Sequence, residues 1–274
     1  MKVALAFLTV VIVAAAPAWH SALLQSAVEL RSPGDDRGGA RTPVLVELFT
    51  SEGCSSCPPA DALLARLDEQ QPISGAEVIA LEEHVNYWDQ LGWVDPFSGA
   101  QWTDRQQDYA AVRHDRGVYT PQMVVNGRTE FVGSHEGQAR QAIAQAASQA
   151  HAEVTLSALS LNKPTEGQFK VSVAKLAGSN NGESAEVYLA ITETGLHSAV
   201  KAGENSGVEV HHSAVVRSLR KIGSVDPGKD PAFSGESTIK FDKNWKRENL
   251  RAVVFVQEKR SHRVLGAAAA RIEP

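Results

Sequence analysis

The sequence has few cysteines and no excess of positive charge, and each shortage excludes a class of protein. Only two cysteines occur among 274 residues, so the chain is not a small scaffold held together by several disulfides. The formal net charge is −5 at pH 7, whereas a general nucleic-acid binder needs a positive surface that displaces counterions from phosphates. No glycine pattern of the Walker or dinucleotide-binding type occurs either. The hydrophobic fraction of 43% is instead typical of a folded globular chain.

The first residues have the composition of a secretory signal peptide. A positive start at Lys2 precedes an uncharged apolar run over residues 3–16, and the small residues Ala16 and Ala18 form a cleavage pattern. We therefore predict a signal peptide over residues 1–18 and export to the periplasm or the extracellular space. The apolar run is shorter than the roughly 20 residues that cross a membrane, so we expect no stable membrane insertion after cleavage. The alternative is an uncleaved membrane anchor.

The next part of the sequence predicts a linker followed by regular structure. Residues 19–42 are rich in glycine, serine, aspartate, arginine and proline, which is typical of a flexible linker. The apolar residues 44–49 then predict a buried strand, and leucines at helical spacing predict a helix that ends at about Gln70. A second strand is predicted over residues 77–81.

Three further elements follow from local patterns. Thr103 and Gln106 form a capping-box pattern, which predicts a helix over residues 103–114. The Asn126-Gly127 pair predicts a tight hairpin. An alanine-rich segment over residues 136–151 predicts another helix.

The pattern changes after residue 151. Apolar and polar residues alternate there in several short runs separated by turn-forming clusters, which is typical of antiparallel β-structure. The predicted fold class is therefore an α/β domain over residues 43–151, followed by a mostly-β, sandwich-like domain over residues 152–274.

The two cysteines, Cys54 and Cys57, form a C-x-x-C motif whose chemistry the motif alone leaves open. The cysteine count excludes a four-cysteine zinc site, and a site on His211 and His212 is disfavoured because adjacent strand residues point to opposite faces. An inert crosslink over so short a loop would stabilise little. The position between a buried strand and a helix start favours redox chemistry, because helix N–H groups stabilise a thiolate at Cys54. Cys57, about one helical turn on, can then resolve a mixed disulfide.

The order of the predicted elements resembles a known family. Strand, C-x-x-C, helix, strand, helix, Thr120-Pro121, hairpin and helix is similar to the thioredoxin fold. More narrowly, segments 50–61 (TSEGCSSCPPAD) and 84–97 resemble a group of exported bacterial thioredoxin-like proteins whose domain has no assigned function. The resemblance implies a thioredoxin-like α/β domain in which Pro121 is the cis-proline beside the cysteines. It also implies that Thr120 and Pro121 belong to the substrate-binding surface.

The sequence departs from the thioredoxin pattern where that family has a buried aspartate, because this position is Leu48. Glu47 is the nearest strand carboxylate and could serve in proton transfer if the strand register differs; otherwise it has a local partner. His84 could tune a thiolate or join a copper site, or it is simply hydrogen-bonded. The aromatic segment over residues 87–97 is either a lid or docking surface, or a loop that its large side chains anchor to the core.

Together these observations predict an exported thiol–disulfide oxidoreductase that needs no cofactor or metal. Cys54 would attack a disulfide of a protein or a small thiol, and the β domain would select or hold the partner. Whether the protein is a reductant, an oxidant or an isomerase stays open, since Ser55 and Ser56 between the cysteines add no charge. One alternative is a copper chaperone that uses Cys54, Cys57 and a histidine, because soft thiolates suit Cu(I). A second alternative is a non-catalytic interaction module in which the cysteines form only a short crosslink.

Overall fold

The computed structural model describes residues 41–176 and 182–272. The predicted signal peptide, residues 1–18, and nearly all of the predicted linker, residues 19–42, lie outside these described residues. The last two linker positions belong to the fold. The guanidinium group of Arg41 donates hydrogen bonds to three backbone carbonyl groups, and Thr42 begins the first strand.

The described residues form three α-helices and a larger number of strands. In chain order these elements are β1 Thr42–Thr50, α1 Pro58–Gln70, β2 Ala76–His84, α2 Ala100–Arg113, β3 Gln122–Val125, β4 Thr129–Val132, α3 Glu136–Ala147, β5 Val154–Lys163, β6 Glu166–Val173, β7 Ala185–Glu193, β8 Leu196–Ala199, β9 Glu209–His212, β10 Val215–Val225, β11 Phe233–Lys240, β12 Leu250–Glu258 and β13 Val264–Arg271. None of the described helices combines the length and the apolar character that crossing a membrane requires.

One large mixed sheet dominates the structure. It contains eight strands in the order β13-β12-β7-β10-β2-β1-β3-β4. Strands β1 and β2 run parallel, with Thr50 paired to His84. Strand β10 joins the other edge of β2, also in parallel, through Val215 and Glu82. The chain therefore has a mixed α/β fold.

The predicted domain boundary near residue 151 falls in the connection between α3 and β5. Strands from both sides of that boundary nevertheless belong to the same sheet, since β10 lies directly beside β2. The alternation of apolar and polar residues predicts that a segment is a strand, but it does not identify the neighbouring strand. A second sheet of three strands, in the order β11-β6-β5, comes wholly from the later part of the chain.

Side chains on the two faces of β1 and β2 pack into different clusters, because successive strand residues point to opposite faces. The even-numbered residues, such as Val46 and Val78, pack with α1 and α3. The odd-numbered residues Leu45 and Ile79 pack with Trp102 of α2 and with apolar residues of β12 and β13. The three-stranded sheet packs against β7 and β12 in a further apolar cluster.

The predicted hairpin at Asn126-Gly127 is confirmed. Strands β3 and β4 pair in antiparallel register on either side of it, and both turn residues have positive φ. A Cβ atom on Gly127 would lie 1.9 Å from the carbonyl oxygen of His262, so a larger residue does not fit there. The side chain of Asn126 also accepts a hydrogen bond from the backbone N–H of Leu45.

The predicted capping box at Thr103 and Gln106 is wrong. Helix α2 begins at Ala100, one turn earlier, with Gly99 at its N-cap. The Thr103 hydroxyl donates to the side-chain carbonyl of Asn86 instead of capping the helix. Helix α3 ends at Ala147, before the predicted end.

Candidate functional site

Cys54 and Cys57 form a disulfide at the start of α1, where their Cα atoms lie 5.4 Å apart. Cys57 is the N-cap residue, and two prolines occupy the first helical positions, where no backbone N–H is needed. Both cysteine side chains are buried, whereas Ser55 and Ser56 between them are exposed. The disulfide therefore lies at the carboxyl end of β1 and at the N-terminal, positive end of the α1 dipole, which would stabilise a thiolate.

A loop from the later part of the chain covers the C-x-x-C segment. The side-chain amide of Asn205 donates to the carbonyl oxygens of Glu52 and Cys54, at 2.9 and 3.0 Å. The carboxylate of Glu204 accepts a hydrogen bond from the backbone N–H of Ser55 at 3.0 Å. Residues about 150 positions downstream thus fix the backbone around the first cysteine.

Thr120 and Pro121 lie close to the same segment, and the peptide bond between them is cis. The Thr120 hydroxyl accepts a 2.8 Å hydrogen bond from the indole N–H of Trp88. Trp88 packs against Gly53, since a Cβ atom on that glycine would lie 3.1 Å from the Trp88 Cβ. A Cβ atom on Gly133 would lie 3.3 Å from the Pro121 Cβ and 3.2 Å from the Ala60 Cβ, so Pro121 is near the first turn of α1. The structure therefore brings the predicted substrate-loop residues to the start of α1.

The aromatic segment over residues 87–97 also contacts the C-x-x-C segment. Trp93 is half-buried, and its indole N–H donates a 2.7 Å hydrogen bond to the carboxylate of Glu52. Leu91 and Val94, on either side of it, are 58% and 69% exposed. The segment thus combines a polar contact to Glu52 with exposed apolar side chains.

Glu47 lies on the opposite side of the sheet from α1. Its carboxylate accepts a 2.7 Å hydrogen bond from Arg105 of α2 and a second one from Tyr109. The alternation of β1 explains this position, since Leu48 packs on the α1 side. The structure therefore pairs Glu47 with α2 and does not bring it to the disulfide.

One carboxyl group on the α1 side is that of Asp61, in the first turn of that helix. It accepts a 2.6 Å hydrogen bond from the hydroxyl of Thr50. Burial, together with the nearby Glu82 carboxylate, raises the pKa of Asp61 to about 7. A buried carboxyl group that titrates near neutral pH therefore lies one turn after Cys57.

Two histidines and three carboxylates form a buried cluster, which we call the histidine–carboxylate cluster. Its members are Glu52, Glu82, His84, Asp95 and His212. His84 contacts Asp95 through Nδ1 at 2.7 Å and Glu82 Oε1 through Nε2 at 3.3 Å. His212 contacts the same Glu82 oxygen through Nδ1 at 2.7 Å and Glu52 through Nε2 at 3.1 Å. All five side chains are almost fully excluded from solvent.

The contacts inside the cluster control its charges. Burial alone would lower the pKa of His84, but the carboxylates of Asp95 and Glu82 outweigh it and raise the value to about 9. Burial also acts to lower the pKa of His212, and Glu82 and Glu52 raise it to about 11. Burial acts in the opposite direction on Glu82, whose pKa the two histidines hold at about 2. Without another cation, both imidazoles are therefore protonated at neutral pH.

The sequence pointed to His84 but missed its partners. Glu82 and His84 are two positions apart on β2 and therefore share a face of the strand, which the sequence alone could have predicted. The expectation that His211 and His212 point to opposite faces is confirmed, because His211 is exposed and His212 is buried. Nothing in the local pattern places the end of β9 beside β2, and this placement creates the cluster.

Comparisons with known proteins give one family match and several similar solved structures. A family model described as "Protein of unknown function (DUF1223)" matches residues 45–257. The crystal structure of protein AGR_C_4864 from Agrobacterium tumefaciens is 25% identical, with a TM-score of 0.64 over 86% of this chain and 96% of that chain. HBP35 of Porphyromonas gingivalis is 16% identical, with a TM-score of 0.61 over 86% of this chain and 77% of that chain. No curated protein matches the sequence.

Proposed function

We propose that this chain, which belongs to the DUF1223 family of proteins of unknown function, is an exported thiol–disulfide oxidoreductase built on a thioredoxin-like domain. The observation that carries the proposal is the Cys54–Cys57 disulfide at the start of α1. A disulfide is compatible with an oxidising compartment outside the cytosol. The short loop that it closes makes it a weak structural crosslink, which favours a chemical use.

The order of the elements around the disulfide supports the thioredoxin-like part of the proposal. A buried parallel strand leads into the C-x-x-C segment, a helix follows, and the second parallel strand comes next. The Thr120-Pro121 loop, the β3–β4 hairpin and α3 complete the order. The β-rich part would act on the site through its covering loop, which binds the backbone of Cys54.

The proposed reaction is a thiol–disulfide exchange in two steps. In the reduced protein, the Cys54 thiolate attacks one sulfur of a substrate disulfide, forms a mixed disulfide and releases the other substrate sulfur as a thiolate. Cys57 then loses its proton and attacks the Cys54 sulfur, which releases the second substrate thiolate and forms the Cys54–Cys57 disulfide. The substrate gains two electrons and the protein loses two. The reverse sequence oxidises a dithiol substrate.

The exposed apolar side chains near the site favour a protein substrate. Leu91 and Val94 extend from the segment that contacts Glu52, and Val208 follows the loop that covers Cys54. Exposed apolar side chains at these positions would be available to contact a partner chain. A small-thiol disulfide would undergo the same exchange without these contacts.

A matched pair of variants tests the proposal. With Cys57→Ser, we expect the remaining thiol to form a stable mixed disulfide with oxidised glutathione, because no resolving thiol is present. With Cys54→Ser, the corresponding reaction should be slower by about tenfold or more, since the attacking residue is missing. Mass spectrometry over time measures both rates. Equal rates, together with no turnover by the unchanged protein, would leave only the crosslink interpretation.

The copper alternative has less support from the structure. The copper alternative combines the two cysteines with a histidine close to the sulfurs. Among the described residues, the side chains grouped closely enough to hold an ion are Glu82, His84 and His212, and neither cysteine belongs to that group. We therefore prefer the redox function for the cysteines and treat the metal-capable group separately.

A further inference from the structure

We propose that Glu82, His84 and His212 form a binding site for a divalent transition-metal ion, with Zn²⁺ as the first ion to test. The ligand atoms of these three side chains lie within 4.8 Å of one another, and all three residues are buried. The site uses neither cysteine, so it stands independently of the proposed redox function.

The arrangement of the nearest atoms fits three protein ligands around one ion. Nε2 of His84 and Nδ1 of His212 both face the same oxygen of Glu82, at 3.3 and 2.7 Å. A tetrahedral zinc ion with bonds of about 2.1 Å holds its ligand atoms about 3.4 Å apart. Side-chain shifts of less than about 1 Å would therefore open the space between these atoms for an ion.

The outer contacts are those that a metal site requires. A histidine that binds a metal usually donates its other ring N–H to a carboxylate or carbonyl group, which fixes the tautomer and the ring orientation. Here Nδ1 of His84 lies 2.7 Å from Asp95, and Nε2 of His212 lies 3.1 Å from Glu52. The second oxygen of Glu82 accepts a hydrogen bond from the backbone N–H of Ser213. Each candidate ligand thus has one polar atom fixed by an outer contact, and its other polar atom faces the other two ligands.

The acidic groups of the histidine–carboxylate cluster also favour the binding of a cation. Glu52, Glu82 and Asp95 are buried acidic groups, and buried charges are normally paired or bound to metals. In the part of the chain that the structure describes, no lysine or arginine forms an ion pair with any of the three. The two histidines are the partners of these three carboxyl groups there.

A surface groove borders one side of the site. A groove between α1 and the β8–β9 hairpin reaches His212, with Asp61 and Ser213 also on its wall. Asp61 lies near enough to interact electrostatically with Glu82, His84 and His212. Two histidines and one carboxylate, with a position left open, form a ligand set typical of zinc and of non-haem iron(II) sites.

The test uses the full chain with its disulfide intact, so that no free thiolate contributes to binding. We expect one Zn²⁺ per chain, measured by competition with a chromophoric chelator and by elemental analysis after dialysis. His212→Gln should weaken binding at least 100-fold. The matched control is His211→Gln, which removes the exposed neighbour and should leave the affinity unchanged. Absence of stoichiometric zinc in the unchanged protein, or equal affinities of the two variants, would overturn the proposal.

A second measurement keeps the proposal testable if His212→Gln does not fold. X-ray absorption of the unchanged protein loaded with zinc should show two imidazole nitrogens, oxygen ligands and no sulfur. Zinc bound by sulfur, or by fewer than two imidazoles, would overturn the assignment. Asp95→Asn, which keeps all three ligands, should weaken zinc binding by about 10- to 100-fold through the orientation of His84.

Discussion

The side-chain amide of Asn205 donates a 3.0 Å hydrogen bond to the carbonyl oxygen of Cys54, across 151 positions of the chain. The same amide also binds the carbonyl oxygen of Glu52. The residues that fix the first cysteine therefore come from both parts of the chain, and the later part is a component of the site.

Replacing Asn205 with alanine should loosen the covering loop. The variant loses two hydrogen bonds to buried carbonyl groups, which should cost about 1–3 kcal/mol in the free energy of unfolding. The disulfide should then react faster with a small phosphine, since less of the loop protects it. The matched control is Ser206→Ala, whose exposed hydroxyl binds only within its own loop. Equal reduction rates in the two variants would show that the loop does not protect the disulfide.

A fragment of residues 41–151 should fail to fold on its own. Removing the later strands exposes the edge of β2 that β10 covers, and it removes the apolar residues of β12 and β13 that pack against Leu45 and Ile79. We expect circular dichroism and heating to show no cooperative transition. A cooperative melt of this fragment would instead support an independent first domain, as the sequence predicts.

Glu47 should matter for stability and not for the redox couple. Its carboxylate pairs with Arg105 on the face of the sheet away from α1. Glu47→Ala leaves a buried charge without this partner and should cost about 3–5 kcal/mol of stability. The reduction potential of the cysteine pair should stay unchanged. Chemical denaturation measures the first quantity, and Glu69→Ala, on the exposed surface of α1, is the control. A large change of potential in Glu47→Ala would assign this residue to the redox site.

Asp61 should make the stability of the protein fall as pH rises toward neutrality. The pKa of its carboxyl group is about 7 in the folded protein, against an ordinary value of 3.8. The folded state therefore holds an extra proton between about pH 4 and pH 7, and the favourable contribution of the protonated group is lost as pH rises through that window. Asp61→Asn removes this dependence. The free energy of unfolding of the variant, relative to that of the unchanged protein, should therefore increase up to about pH 7 and then stay constant. Parallel stability profiles of the two proteins would contradict the assignment.

The sequence predicted elements whose signals are local. The strand before Cys54, the helix after Cys57 and the hairpin at Asn126-Gly127 all lie where the local patterns put them. The helix start at Thr103 was wrong, because the Thr103 hydroxyl binds Asn86 from within the helix. A capping-box pattern covers four residues, so it does not show whether the hydroxyl group binds a more distant residue instead of capping the helix.

The histidine–carboxylate cluster could not be predicted because it depends on long-range strand placement. His212 lies 130 positions after Glu82, and the two meet because β10 starts beside the end of β2. Alternation alone correctly predicted that the two adjacent histidines point to opposite faces, but it did not identify what the buried one contacts. The same limit applies to Asn205, because nothing in the sequence identifies the two backbone carbonyl groups that its side chain contacts.

The reduction potential of the Cys54–Cys57 couple tests the proposed function most directly. It is measured by equilibrating the full chain with glutathione or dithiothreitol redox buffers and counting the oxidised fraction. Redox-active pairs lie between roughly −270 and −120 mV, and structural disulfides lie below about −300 mV. We predict a value inside the first range, and its position there distinguishes a reductant from an oxidant. A value below about −300 mV would contradict the account and identify the disulfide as a structural crosslink.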